Sequence, residues 1–186
     1  MRERPYQTLS SRYLWQSQWY NVRQDQVRLP NGSELTYTII DKPTAVWIVP
    51  ITTDGHLVLI EQYRYAVDDW CLEIPAGTGE PGIELADLAA RELREEIGGS
   101  AEHILPIAEF YLMSGIGNGK AKVFLALNVM LGETAHEQTE YIHLRPVPIE
   151  EALDMARSGM INAGPSALAI LLSETKIREF FREQQL

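Results

Sequence analysis

The stretch PAGTGEPGIELADLAARELREEIGG, residues 75–99, constrains this chain more than any other. Pro81-Gly82 punctuates it and Gly98-Gly99 closes it, which predicts a helix over residues 83–97 between two glycine-rich ends. Leu85, Leu88, Ala89, Leu93 and Ile97 recur at helical spacing and form an apolar stripe that has to pack against something. Glu92 and Glu96 are four apart, so they stack one turn above the other, about 40° apart around the axis. Glu95 flanks the same edge. Like charges at this spacing repel by roughly a few tenths of a kcal/mol per pair, and Arg91 and Arg94 offset part of that. The helix alone leaves two readings open: a solvated charged face, or a site that holds something positive.

The flanks read as β structure. VRLPNGSELTYTII predicts a hairpin turning at Asn31-Gly32, a dipeptide that accepts positive φ readily. AVWIVPI (45–51) and HLVLIEQYRY (56–65) are apolar strands split by Asp54-Gly55, and CLEIPAG is a short strand running into the acidic stretch. Further strands are expected over 104–112, 121–130 and 140–148. Pro148 then opens a helix with Ile149, Leu153 and Ala156 on one face and Gly159 past its end. A last helix, from about 165 to 184, carries Leu168, Leu171, Leu172, Thr175, Phe180 and Phe181. Strands, helix, strands, helices in that order predict an α+β fold, a mixed sheet with helices packed on it.

Bulk properties narrow the function classes. At 186 residues the chain fits one domain with a small extension, and 45% hydrophobic residues can fill a core. A net charge of −10 argues against gripping a nucleic-acid backbone through a broad basic face. It leaves a nucleotide substrate open, because a bound divalent cation reverses the local field. Cys71 is the single cysteine, so neither a disulfide nor a thiolate zinc site can form within the chain, and a reducing compartment fits. The start MRERPYQTLSSRY lacks the apolar run of a signal peptide, and no stretch approaches the ~20 apolar residues of a membrane span. The expectation is a cytoplasmic protein without nucleic-acid or membrane partners.

The spacing of the acidic stretch carries a resemblance. Gly77, then Arg91-Glu92, an apolar residue, any residue, Glu95-Glu96, any residue and Gly98 resembles the box of the Nudix hydrolases. Two positions depart from it: the leading glutamate falls on Ile83, with Glu84 one place late, and the apolar residue after the final glycine is Gly99. The resemblance implies a Nudix α/β/α sandwich with a mixed sheet and an N-terminal β-hairpin extension. Residues 1–42 would be an antiparallel β extension for dimerisation and 43–186 the catalytic domain. It further implies a loop–helix–loop that binds Mg²⁺ or Mn²⁺ and hydrolyses a diphosphate linked to another moiety. Glu92 and Glu96 are then the first metal ligands, Glu95 assists in binding and catalysis, and the Ala76 backbone carbonyl adds a ligand. Hard cations prefer such oxygens, and Mg²⁺ takes few protein ligands beside water and substrate phosphates. In the family the leading glutamate braces the box arginine, so Ile83 leaves Arg91 needing another partner, Glu80 or Glu84.

Other segments point to a branch. LVLIEQYRYAVDDWCLEIPAG is similar to the run leading into the box of ADP-ribose pyrophosphatases, which makes Arg64 a phosphate contact and Glu73 a supporting or metal-contacting carboxylate. Trp19 and Tyr37 are spaced like two aromatic residues that sandwich adenine in that branch. N-terminal strands exchange between subunits there, so a homodimer is implied, with Trp15, Trp19 and Tyr20 suited to its interface. The loop YLMSGIGNGKAKVF lacks the branch's prolines and carries Gly119 at its acidic position, but Gly115, Gly117 and Gly119 permit close approach to a ligand. For the general base, Glu140 matches the family's late-loop glutamate best and Glu137 is second. The expected reaction cuts ADP-ribose or a similar nucleoside diphosphate sugar into a nucleoside monophosphate and a sugar phosphate. The rivals are a Nudix enzyme for GDP-mannose, NADH or FAD, and a Nudix-fold sensor that binds without cutting. Intact Glu92, Glu95 and Glu96 speak against the sensor.

Overall fold

The computed structural model describes residues 3–135 and 141–183. It divides into two compact units, one running up to Thr44 and including Tyr111–Lys120, the other comprising Ala45–Phe110 and the chain from Ala121 onward.

In the first unit, β1 (Gln7–Gln16), β2 (Asn21–Arg28) and β3 (Glu34–Asp41) form an antiparallel sheet in that order. The expected hairpin is present. Gly32 sits at φ 84°, its N–H donates to the Leu29 carbonyl at 2.9 Å, and Leu29 N–H donates to the Ser33 carbonyl at 2.8 Å. The segment before it pairs as a further antiparallel strand of the same sheet. Every residue of β1 is exposed, so no inward face leaves an alternating signal. Tyr111–Lys120 joins this unit through β3: Ile40 N–H donates to the Ile116 carbonyl at 2.8 Å, and Lys42 N–H donates to Asn118 Oδ1 at 3.0 Å.

Asp25 is the buried charge of this sheet. Burial works against its ionised form, but hydrogen bonds from Ser11 and the Arg23 guanidinium outweigh that and hold the carboxyl below the usual carboxylate range. A depressed carboxyl stabilises the fold above its ordinary titration range and loses that contribution as pH falls through the folded value. The urea midpoint is therefore expected to drop as pH goes below about 4, and Asp25→Asn to flatten part of that drop. An unchanged slope in the variant contradicts the assignment.

In the second unit the strands are β4 (Ala45–Thr52), β5 (His56–Arg64), β6 (Asp69–Glu73), β7 (Ala76–Thr78), β8 (His103–Tyr111), β9 (Lys120–Val129) and β10 (Ile142–Pro148). The helices are α1 (Leu85–Ile97), α2 (Ile149–Ser158) and α3 (Gly164–Glu183). The sheet runs β10-β5-β4-β9-β8, with β6 paired to β5 and β7 to β4. It is mixed: β4 and β9 are parallel, while β4 and β5 are antiparallel.

The core strands alternate by face, as the period of two requires. Val46, Ile48, Val58, Ile60, Phe124 and Ala126 pack with Leu88, Ala89, Leu93 and Ile97 of α1. Val49, Ile51, Leu57, Leu59, Val123 and Leu125 pack with Leu153 of α2 and with Ala169, Ile170 and Ile177 of α3. The result is the expected α/β/α sandwich. The alternation breaks at Asn128, whose φ of 53° lets Val129 join the α1 side; the β4–β9 register shifts at the same level. In α3 the buried stripe is Ser166, Ala169, Ile170, Ser173 and Ile177, while Leu168 and Leu172 face outward. The inner face of this helix thus mixes the apolar Ala169, Ile170 and Ile177 with two small hydroxyl residues. Among the described residues no helix is long and apolar enough to cross a membrane.

Candidate active site

α1 and the segment leading into β7 build the site. α1 begins two residues later than expected, at Leu85, and its N-cap Glu84 is extended and makes no side-chain capping bond. It ends as expected: Gly98 is left-handed at φ 63°, and its N–H donates to the Arg94 carbonyl at 3.0 Å. A side chain at Gly98 would also collide with the Gly132 carbonyl, so glycine is required twice over.

The buried stripe of α1 fixes its rotation and turns Glu92 and Glu96 toward the incoming segment. Glu96 is only 5% exposed, and its Oε2 accepts from Ala76 N–H at 3.2 Å. Glu92 lies against Gly77; a Cβ there would occupy the space of the Glu92 carboxylate. Glu95, the third acid of the stretch, has its side chain 44% exposed. Glu92, Glu96 and the Ala76 backbone are thus drawn together, with Glu95 at the wetter margin.

Arg91 finds its partner in Glu80, one of the two expected. It also lies 3.7 Å from Glu92 and 3.9 Å from Glu95. The Glu80 hydrogen bond, aided by the charges of Glu92 and Glu95, holds this guanidinium above its ordinary value. Ile83, at the family's glutamate position, packs instead against the α1 side of the core. The loop is thus braced by a different carboxylate, and the departure costs no bracing.

Arg64 and Glu73, read separately from the sequence, form one unit. Arg64 Nε donates to Glu73 Oε1 at 2.8 Å and its second terminal nitrogen donates to Oε2 at 2.6 Å. β5 and β6 are paired antiparallel here, which brings the ends of the two strands together. This fork raises the Arg64 pKa, and the charge of Glu96 adds to it, so the guanidinium stays charged next to the acidic edge. Glu73 is buried while the Arg64 side chain is 43% exposed, which leaves Arg64 accessible to an anion.

The remaining expected residues fall elsewhere. Trp19 lies in the β1–β2 turn and Tyr37 in β3 opposite Asp25; both are exposed and the strand register does not bring them side by side. Gly115 lies in the loop that joins the first unit, with open space around it. Glu137 and Glu140 lie outside the described residues. The chain entering that segment is tied to α1: Gly132 N–H donates to the Gly98 carbonyl and Ala135 N–H to the Glu95 carbonyl, both at 2.9 Å.

The donor set fits a hard divalent cation. Carboxylates of Glu92, Glu96 and Glu95 and the carbonyl of Ala76 are oxygen donors, and the missing side chain at Gly77 leaves room for the Glu92 carboxylate. Among the described residues no three His, Cys, Asp or Glu side chains form a ready-made cage.

Comparison with known proteins decides the family. The sequence model of the NUDIX domain matches residues 41–164. The chain belongs to the Nudix family. Residues 6–40 of this Nudix hydrolase match a second model, the nucleoside diphosphate sugar hydrolase N-terminal domain. It is 29% identical over 171 residues to the ADP-ribose pyrophosphatase of Bacillus subtilis, covering 91% of this chain and 92% of that one. It is 31% identical over 164 residues to the ADP-ribose pyrophosphatase of Mycobacterium tuberculosis, covering 87% and 79%. A crystal structure of an ADP compounds hydrolase superposes with a TM-score of 0.81 at 23% identity, covering 99% of this chain and 98% of that one, and shares the fold. Nudix hydrolases act with divalent cations, in keeping with the donor set above.

Proposed function

We propose that this Nudix hydrolase cuts the diphosphate of ADP-ribose, or of a similar nucleoside diphosphate sugar, into a nucleoside monophosphate and a sugar phosphate. The observation that carries this reading is the convergence of buried Glu96, Glu92 and the Ala76 backbone beside the Arg64–Glu73 fork. A cation edge and an anchored guanidinium are the two things a charged diphosphate requires. The N-terminal match to nucleoside diphosphate sugar hydrolases and the names of the relatives support the substrate class.

Glu92, Glu96, Glu95 and the Ala76 carbonyl would hold Mg²⁺ or Mn²⁺. When bound, the cation supplies Lewis-acid polarisation of the diphosphate and neutralises charge in the displacement. Arg64 anchors a phosphate through the guanidinium face that Glu73 leaves open. Water attacks one phosphorus, the bridging P–O bond breaks, and the water's proton passes to Glu140, or to Glu137 in its place. Two phosphate monoesters leave. From the family resemblance alone, Trp19 and Tyr37 are assigned to the base and Gly115 to a ligand-facing loop, and the working form is a cytoplasmic homodimer joined through residues 1–42. The catalytic domain occupies 43–186.

A substrate panel with Mg²⁺, repeated with EDTA, tests the reading by release of phosphatase-sensitive phosphate. ADP-ribose is expected to be cleaved well ahead of GDP-mannose, NADH and FAD, and EDTA to abolish turnover. Preference for one of the others reassigns the substrate, and no cleavage at all favours the sensor. Arg64→Lys keeps the charge but loses the fork, so KM for the preferred substrate is expected to rise by roughly tenfold with kcat less affected. Unchanged KM removes Arg64 from the phosphate site.

A further inference from the structure

Residues 70–76 deliver Glu73 and Ala76 to the acidic edge, yet β6 pairs with β5 on one side only. Residues two apart in an extended chain aim their amides at the same edge. Along the edge away from β5, three such amides are met in succession by side chains rather than by a strand. Leu72 N–H donates to Asn162 Oδ1 at 2.8 Å, and Asn162 Nδ2 donates back to the Trp70 carbonyl at 3.1 Å. Ile74 N–H donates to Ser166 Oγ at 3.2 Å. Ala76 N–H donates to Glu96 Oε2 at 3.2 Å.

The third rung of this ladder is a carboxylate of the site itself. The first two come from the α2–α3 connection and the first turn of α3, about ninety residues downstream in sequence (Leu72 to Asn162). The side-chain amide of Asn162 copies a neighbouring strand's peptide group, giving one acceptor and one donor at strand spacing. Ser166 is fully buried, and alanine there would be the better helix former; its hydroxyl answers an amide that would otherwise be buried without that partner.

We propose that Asn162 and Ser166 are positioning residues of the hydrolase. They fix the height of the 72–76 backbone, and through it set the Ala76 carbonyl and the Glu73–Arg64 fork against the α1 carboxylates. This rests on the reading of that edge as the cation site. Ser166 lies in α3 just beyond the matched NUDIX domain, while Asn162 lies inside it, before the helix begins.

The test compares Asn162→Ala and Ser166→Ala with Ser173→Ala. Ser173 is a buried hydroxyl on the same helix, but it donates to the Ala169 carbonyl at 2.8 Å and stays within α3. Three quantities are read: Mn²⁺ affinity of the substrate-free protein by electron paramagnetic resonance, kcat, and Tm. Asn162→Ala and Ser166→Ala are expected to weaken Mn²⁺ binding and lower kcat by roughly tenfold each, well below Tm, with Ser173→Ala moving Tm alone. Asn162 is exposed, so its variant decides the matter if Ser166→Ala does not fold. Parent-like Mn²⁺ affinity and kcat in the folded variants, even with a lowered Tm, would make the ladder purely structural and overturn the proposal. A parent protein that binds no Mn²⁺ overturns the cation-site reading as well, which separates the two failures.

Discussion

Replacing Glu96 by Gln is expected to lower kcat by about a thousandfold or more while leaving Tm within a few degrees of the parent. Gln has the same shape and keeps a carbonyl oxygen to accept from Ala76 N–H, so the bond that seats the side chain survives. Only the charge is lost, at a position 5% exposed where water screens it poorly. The corresponding change at Glu95 is expected to cost less, because that side chain is 44% exposed and waters can replace its oxygens. Initial rates at saturating Mg²⁺ with a thermal scan check both. Near-parent turnover in Glu96→Gln would remove it from the ligand set.

Gly77→Ala is expected to lower activity by about a hundredfold with the fold retained. Gly77 is not in the left-handed region, so its backbone tolerates alanine. The added methyl instead lands on the Glu92 carboxylate, a flexible group that moves aside where backbone would not. The variant therefore displaces one carboxylate from its seat without deleting it. The same methyl placed on top of Glu92→Gln should cost little more than Glu92→Gln alone, since the two act through one atom group. Full additivity in that double variant would show that Gly77 matters for some other reason.

The sequence carried the second unit well because its signals were strong and local. Gly98 closes the helix end as expected, and Leu88, Ala89, Leu93 and Ile97 of the expected stripe are buried, while Leu85 is only half-buried and Glu96 joins the buried face. The acids followed, because an apolar stripe fixes the rotation that points Glu92 and Glu96 toward the loop. Pairings across long separations were not legible. Nothing local ties Arg64 to Glu73 rather than leaving them as two independent charges; the β5–β6 register makes the fork. Asn162 and Ser166 gave no motif at all, since a single Asn and a single Ser in a loop and a helix start are common there for other reasons. The bounds of β1 had no local signal because an exposed strand buries nothing, and in α3 Leu171, Phe180 and Phe181 pack on the core as their pattern suggests, while Leu168 and Leu172 face outward. The attachment of Tyr111–Lys120 to β3 depends on backbone bonds to Ile40, which no composition announces.

On the proposed reading, α1 and the 75–77 backbone together hold a hard cation against a diphosphate. The most direct test is anomalous diffraction at the manganese edge from crystals soaked with Mn²⁺ and a non-hydrolysable ADP-ribose analogue. A peak is expected between the carboxylates of Glu92 and Glu96 and the Ala76 carbonyl, with analogue phosphate oxygens completing its coordination. Manganese bound only at other carboxylates, with Glu92 and Glu96 merely hydrated beside the analogue, would contradict it.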